Sequence, residues 1–169
     1  MPKVSVIVPN YNYARFLRRR LDSIMEQTFG DFEVIILDDA STDGSQDVIR
    51  LYLADPRVSF PPKEANSGSP FFQWNRGVQL ARGDYVWIAE SDDYAEKEFL
   101  ATLVPILEEH PQVGLAYCQS WRVDDQGNWN RNQKTAWLGI RLRNPKSILN
   151  ARARKCSSTC LLFAGRCLT

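Results

Sequence analysis

A chain of 169 residues, 44% hydrophobic and 24% charged, has the composition of one globular domain, long enough to bury about two-thirds of its unfolded surface. A net charge of +1 argues against a dedicated nucleic-acid binder, and no run approaches the roughly 20 apolar residues that cross a bilayer. That average hides a split: residues 1–125 hold all 20 acidic residues and carry −8, whereas residues 126–169 hold none and carry +9, the mark of a basic tail, a phosphate- or membrane-facing surface, or a foreign terminal sequence.

The start of the chain lacks the length and cleavage signature of a secretory leader, so the expected place is the cytoplasm, with peripheral association at the inner face of the membrane left open. Val4-Ser5-Val6-Ile7-Val8 is a β-branched run closed by Pro9-Asn10, a buried strand followed by a loop. Over residues 14–27, Leu17, Leu21 and Ile24 recur at helical spacing. Arg18, Arg19 and Arg20 lie between them and read mainly as a solvated face, with a phosphate patch as the functional alternative. Residues 33–37 form a second buried strand that stops abruptly at Asp38-Asp39, after which Ser41 or Asp43 is placed to cap a helix running to about Ala54. Val58-Ser59-Phe60 is a weaker strand ended by Pro61-Pro62, and residues 71–81 are helical. Gly83-Asp84 turns into a strand over 85–89, which ends at Glu90-Ser91-Asp92-Asp93. A helix over 96–109 contains Pro105, which predicts a kink or an early break, and a last strand spans 114–121. Beyond Asp125 the periodicity fades. Cys118 reads as a buried thiol; Cys156, Cys160 and Cys167 fit no zinc-site spacing and read as free thiols.

Strands alternating with helices predict an α/β domain with a mostly parallel sheet flanked by helices. In such sheets ligands bind beyond the carboxyl ends of the strands, where both acidic pairs fall. Adjacent carboxylates are costly to bury without a cation, and Mn²⁺ or Mg²⁺ removes that cost by taking one or two of them together with substrate phosphates and water. The bland alternative is an acidic first turn favoured by the dipole of the helix that follows.

A family resemblance rests on ordered motifs. Val4-Ser5-Val6-Ile7-Val8-Pro9-Asn10-Tyr11-Asn12, Gln27-Thr28-Phe29, the run from Phe32 through Asp38-Asp39 to Gly44, Asn66-Ser67-Gly68, Asn75-Arg76-Gly77, Ala81-Arg82-Gly83-Asp84-Tyr85 and Ser91-Asp92-Asp93 resemble the family 2 glycosyltransferases over about residues 3–120. The resemblance implies the GT-A fold, a Rossmann-like sheet holding a nucleotide-diphospho-sugar donor across its strand ends, over a core of residues 1–125 with residues 126–169 as a basic segment. It implies that Pro9 and Tyr11 line the nucleoside pocket with Tyr11 on the base, that Asp39 accepts a base N–H, that Asp92 lies near the ribose or metal-bound water, and that Asp93 ligates Mn²⁺ or Mg²⁺ in a DxD-type motif. Glu90 stands where family members usually carry Asp. Without the resemblance, Tyr11 reads equally as a packed ring with a polar tip and Asp39 as a capping carboxylate.

The implied reaction is transfer of a sugar, with inversion, to a hydroxyl of a glycan, lipid or protein acceptor, as in polysaccharide biosynthesis. Inversion needs a carboxylate base, which in this family comes from a later segment, yet no Asp or Glu follows Asp125. Asp124 and Asp125 sit in turn-like sequence, and residues from 151 onward do not resemble the family's continuation, which keeps a non-catalytic nucleotide-sugar-binding module as the alternative. Other classes fit less well. A receiver-like domain lacks its acceptor Asp within the 85–89 strand, a nucleotidyltransferase lacks a glycine-rich loop after the first strand, and no G-x-G-x-x-G follows any strand.

Overall fold

The chain's computed structural model describes residues 1–118 and, beyond them, the strand segments 120–123, 129–135, 139–142, 148–149 and 161–164. Asp124, Asp125, Cys156, Cys160, Cys167 and the stretch 151–156 lie outside the described residues. Two strands, β1 (Val4–Asn10) and β2 (Phe32–Asp38), are buried along their whole length, as continuous apolar runs in a parallel sheet covered on both faces must be. They pair in parallel with Val4 opposite Phe32 and Asn10 opposite Asp38. On its other side β1 pairs in parallel with β4 (Tyr85–Ile88), and β2 takes the short β3 (Val58–Ser59) at its outer side.

Helices cover both faces. Val4, Val6 and Val8 alternate to one side, where they meet Leu17, Leu21 and Ile24 of α1 (Ala14–Met25), Ile49 of α2 (Ser45–Arg50), and Leu100, Leu103 and Leu107 of α4 (Phe99–Glu109). Ile7, Ile35, Leu37 and Val86 face the other way, toward Val78 of α3 (Pro70–Leu80). Gly77 permits that contact: a β-carbon there would overlap the Ile7 side chain, standing 2.9 Å from its Cδ1. Pro70 opens α3 at its first position, and the Ser69 hydroxyl accepts the Phe71 N–H as a cap.

The strand order β3-β2-β1-β4 reverses direction between β1 and β4, the switch point of a doubly wound sheet. The second half of the sheet is antiparallel. There β10 (Leu161–Ala164) inserts between β4 and β5 (Val113–Tyr117), and β5 pairs with β8 (Gly139–Leu142), which carries β9 (Ile148–Leu149). Ser120–Val123 and Trp129–Thr135 form a separate antiparallel pair, β6 and β7. A piece of the basic stretch thus lies within the sheet.

Three local expectations, on two helices, are corrected. Helix α4 runs through Pro105 to Glu109 without a break, because Leu103, Val104 and Leu107 on either side are buried and outweigh one missing backbone bond. Helix α2 ends at Arg50, short of Ala54, and turns follow. Neither Ser41 nor Asp43 is its cap residue: Gly44 occupies that position at φ 87°, and Asp43 instead accepts the Ser45 N–H at 3.0 Å and the Ala14 N–H at 2.8 Å, tying the starts of α1 and α2 together. Cys118 is a buried free thiol, as expected.

A polar cluster closes the opposite edge of the sheet. Glu33, buried on β2, accepts Ser5 Oγ–H at 2.7 Å, the Arg82 N–H at 2.9 Å and both Arg82 guanidinium contacts, at 2.9 and 2.7 Å. Burial alone raises its carboxyl pKa, but these hydrogen bonds outweigh burial and hold it below the ordinary 4.5. A group with a depressed folded pKa stabilises the fold above its ordinary pKa and loses that contribution as pH falls through the folded value. Glu33→Gln therefore flattens the acid limb of stability: thermal melts from pH 7 toward pH 3 show a smaller fall for the variant than for the native chain. Gly83 sits against the same cluster, where a β-carbon would lie 2.7 Å from Ser5 N and 2.8 Å from Val4 C. Gly83→Ala meets rigid backbone and lowers stability by roughly 2 kcal/mol or more, read as a lower urea midpoint at constant m-value.

Candidate functional site

The parallel register delivers the ends of β1, β2 and β4 to one edge, where a cavity of about 390 Å³ opens. Pro9, Asn10, Tyr11 and Tyr13 line it from the β1 loop, and Asp39 lines it from β2. Asn66, Gly68, Ser69, Pro70 and Gln73 come from the loop and helix α3, and Glu90, Ser91 and Asp92 from the turn after β4. Of the predicted site residues, Pro9, Tyr11, Asp39 and Asp92 share this cavity; Asp93 stands beside it, outside the lining.

Asp38 is the anchor of the edge. It is 1% exposed and accepts Asn10 Nδ2–H at 2.7 Å, the Ser41 N–H at 3.0 Å and Ser41 Oγ–H at 2.5 Å. Ser41 Oγ in turn accepts the Asn12 N–H at 2.9 Å, so the loops after β1 and β2 are bound through one carboxylate. Asn12 and Ala40 hold left-handed backbone, φ 56° and 60°. Such a conformation costs an alanine roughly 1–2 kcal/mol, which these bonds and the Asp39 N–H to Asn10 O bond at 2.8 Å offset.

Asp39 turns the other way, into the cavity wall. Its Oδ1 accepts from Lys63 Nζ and from Gln73 Nε2, each at 2.5 Å, and its Oδ2 accepts Ser67 Oγ–H at 2.7 Å. The Ser67 N–H reaches both oxygens at 3.0 Å. Burial would raise this carboxyl, but the bonds from Lys63, Ser67 and Gln73 outweigh it and keep it below the usual carboxylate range.

The turn after β4 is held from two sides. Ser91 Oγ–H donates to Pro9 O at 2.7 Å, and Arg20 Nε–H donates to Glu90 O at 2.7 Å. Arg20 Nη2 also lies 3.8 Å from Asp93 Oδ2. Burial first, and the charges of Asp92 and Asp93 second, push the Glu90 carboxyl pKa up. Glu90 Oε1 is buried without a hydrogen bond of normal geometry, and the Trp74 indole beside the carboxyl only partly opposes the rise.

These carboxylates fit a divalent cation by chemistry rather than as a finished cage. Three carboxylates repel one another within one turn, and hard oxygens are what Mn²⁺ or Mg²⁺ selects. Among the described residues no three His, Cys, Asp or Glu side chains stand close enough to hold an ion unaided. A cation here would take its remaining ligands from phosphate oxygens and water.

Sequence reasoning missed Lys63, Gln73 and Arg20. Nothing at position 63 marks its role. Gln73 carries a faint signal, since with Gly77 it makes the i, i+4 pair that α3 buries. Arg20 corrects an expectation: it is fully buried, not part of a solvated face, whereas Arg18 and Arg19 are exposed. The signal was present, because 17, 20, 21 and 24 form the i, i+3, i+4, i+7 stripe of a buried helix face.

The sequence model of glycosyl transferase family 2 matches residues 5–166. The chain belongs to glycosyl transferase family 2. The match runs well past the expected limit near residue 120 and takes in most of the basic stretch. An uncharacterised glycosyltransferase of Nostoc sp. is 38% identical over 116 residues, 68% of this chain and 36% of the relative. The Staphylococcus aureus poly(ribitol-phosphate) beta-N-acetylglucosaminyltransferase TarS is 36% identical over 112 residues, 65% of this chain and 20% of TarS. The crystal structure of TarS 1–349 with UDP-GlcNAc superposes with TM-score 0.63 at 34% identity, covering 67% of this chain and 33% of that one. The Pyrobaculum calidifontis mannosyltransferase PcManGT with GDP-Man and Mn²⁺ gives 0.64 at 31% identity, covering 70% and 36%. The fold is thus the GT-A fold expected of the sequence, and the chain spans about a third or less of the length of these relatives.

The two kinds of arginine on α1 are separable by stability. Arg20→Ala removes the donor to the Glu90 carbonyl and leaves a void in the core, and lowers stability by roughly 3 kcal/mol or more. Arg18→Ala, on the exposed face, changes it by less than about 0.5 kcal/mol. Equal urea midpoints for the two variants would contradict this assignment.

Proposed function

We propose that this protein transfers a sugar from a nucleotide-diphospho-sugar to an acceptor hydroxyl with inversion, its donor lying across the cavity at the β1/β4 switch point. The observation that supports this most is the polarity of the cavity: an acidic, cation-seeking turn at Glu90–Asp93 and a neutralised, hydrogen-bonded Asp39 at the opposite wall. A nucleoside diphosphate has the matching polarity, with charge at one end and a flat polar base at the other.

In this reading Pro9 and the half-exposed Tyr11 form the nucleoside wall, with the Tyr11 ring on the base. Asp39 belongs to the base end, Asp92 to the ribose or to water on the metal, and Asp93 to the metal, Mn²⁺ or Mg²⁺. Such a metal, when bound, stabilises the negative charge that develops on the departing diphosphate. The Ser91–Pro9 bond and Arg20 hold the acidic turn at a fixed distance from the nucleoside wall, so that little reorganisation accompanies reaction. The acceptor oxygen attacks the anomeric carbon from the face opposite the leaving group, which inverts it, and a carboxylate base takes the hydroxyl proton.

Residues 1–125 form the donor-binding core in this proposal, and residues 126–169 a basic segment that lends it a strand. The +9 charge of that segment, with no helix among the described residues long and apolar enough to cross a membrane, supports peripheral work at the inner, anionic face of a membrane. Glycan, lipid or protein acceptors are reachable there, and polysaccharide assembly agrees with the polymer named in the TarS relative.

Calorimetry of the full chain with a panel of nucleoside diphosphates, with and without Mn²⁺, tests the reading. Metal-enhanced binding of one nucleoside type is expected, weakened at least roughly tenfold in Asp39→Ala and in Asp93→Ala. Tight binding that neither substitution disturbs would place the donor elsewhere.

A further inference from the structure

Helix α1 turns one charged face outward. Arg15, Arg19, Asp22 and Glu26 recur at i, i+4, i+7 and i+11, a single exposed stripe on the side opposite the buried Leu17, Leu21 and Ile24. With Arg18 and Ser23 they form one wall of a groove of about 500 Å³, whose other wall is the segment 94–97 that follows the acidic turn. Hydrogen bonds strap that segment to the helix and to the residues just after it. Gln27 Nε2–H donates to Glu96 O at 2.8 Å, the Thr28 N–H to Lys97 O at 2.9 Å and the Ala95 N–H to Ser23 Oγ at 3.2 Å.

The order of these charges is unfavourable within one chain. The basic residues of the stripe precede the acidic ones, and the helix has no acidic residue in its first turn and no basic one in its last, the reverse of what its dipole favours. Arg15 and Arg19 repel one another at i, i+4, and so do Asp22 and Glu26. Arg19 and Asp22, one turn apart, are turned to other partners. The Arg19 guanidinium carbon lies 3.5 Å from the centre of the Tyr94 ring, and Asp22 accepts the Tyr52 O–H at 2.6 Å. A second copy laid antiparallel corrects the order. The α1 residues of the groove are symmetric about a point between Arg20 and Leu21, which matches 15 with 26, 18 with 23 and 19 with 22. A two-fold axis at that point brings each arginine to a carboxylate or a serine, makes every match occur twice, and opposes the two helix dipoles. An anionic surface would meet the arginine half alone and be repelled by Asp22, Glu26 and Glu96.

We propose that this face of α1 docks a second copy of the chain across a two-fold axis, α1 antiparallel to α1, with Arg19 on Asp22 and Arg15 on Glu26 of the other copy. Exposed ion pairs contribute little each, so the dimer is weak, forms at high protein concentration and dissociates in salt. The donor cavity shares no lining residue with this groove, so the pairing does not depend on the donor-binding reading.

Sedimentation equilibrium of the full chain at about 0.02 M and about 0.5 M salt reads the association. The native chain forms a dimer at low salt that weakens at least roughly tenfold at high salt. Arg19→Glu and Asp22→Arg each set like charges opposite one another, and each weakens the dimer by roughly tenfold or more. An equal mixture of the two variants, and the chain carrying both substitutions, return it to within about threefold of native, because opposite charges face again. Arg15→Glu and Glu26→Arg give the same pattern where a variant of the first pair loses its helical signal by circular dichroism. A dimer that survives both single variants lies on another face and overturns the assignment. Single variants that weaken it and a mixture that does not recover overturn the antiparallel pairing. A native chain that is monomeric at low salt overturns the dimer altogether; if that monomer binds anionic phospholipid vesicles and Arg19→Glu does not, the groove is an anion site instead.

Discussion

The site depends on β1 being hydrogen-bonded in parallel on both sides. Parallel pairing makes neighbouring strands end at the same edge, and the reversal of strand order beside β1 leaves room between the loops that follow β1 and β4. The alternation of Val4, Val6 and Val8 to one face and Ser5 and Ile7 to the other binds the strand between two helical layers. Slipping the register by one residue would exchange those faces, bury nothing well, and separate Asn10 from Asp38. The cavity is therefore a consequence of core packing well before any ligand is considered.

Buried carboxylates at strand ends pose one electrostatic problem, which the chain answers in three ways. Asp38 is surrounded by neutral donors and becomes a structural clasp. Asp39 receives a cation as well as amide and hydroxyl donors, which keeps it ionised despite burial. Glu90 is pushed toward its neutral form by burial first and by the charges of Asp92 and Asp93 second, and the Trp74 indole and Arg20 offset this only in part. Only the last arrangement leaves stabilisation to be gained from outside the chain. The two acidic pairs that look alike in sequence thus differ in setting: Asp38 and Asp39 are buried and hydrogen-bonded, whereas Asp92 lines the cavity beside Asp93.

Much of this was legible from the residues. Long apolar runs with β-branched residues gave β1, β2 and β4, because strands buried on both faces need no alternation to be recognised. The ordered motifs carried the family and the fold. What the sequence concealed was pairing. The Ala81-Arg82-Gly83-Asp84 motif lies at the edge away from the cavity, where Gly83 has no room for a β-carbon and Arg82 closes onto Glu33. Its residue types answer to packing, which no motif states. The antiparallel half of the sheet was hidden for another reason: β10 is four residues long and its partners lie more than forty positions away, beyond the reach of any local period.

Arg20 shows where charge-based reading fails and why. Three consecutive arginines suggest one shared surface role, yet helical geometry rotates each by about 100° from the last, so all three cannot lie on one face. Two point outward, and the third falls on the buried stripe with Leu17, Leu21 and Ile24. A cation in that position is tolerated because Glu90 O and Asp93 stand at the far end of its side chain, and its guanidinium carbon lies 5.6 Å from the Trp87 ring. The acidic turn and the buried arginine are thus conditions of each other. The acidic turn thus stands over a cation already built into the helix, and Asp93 lies 3.8 Å from it.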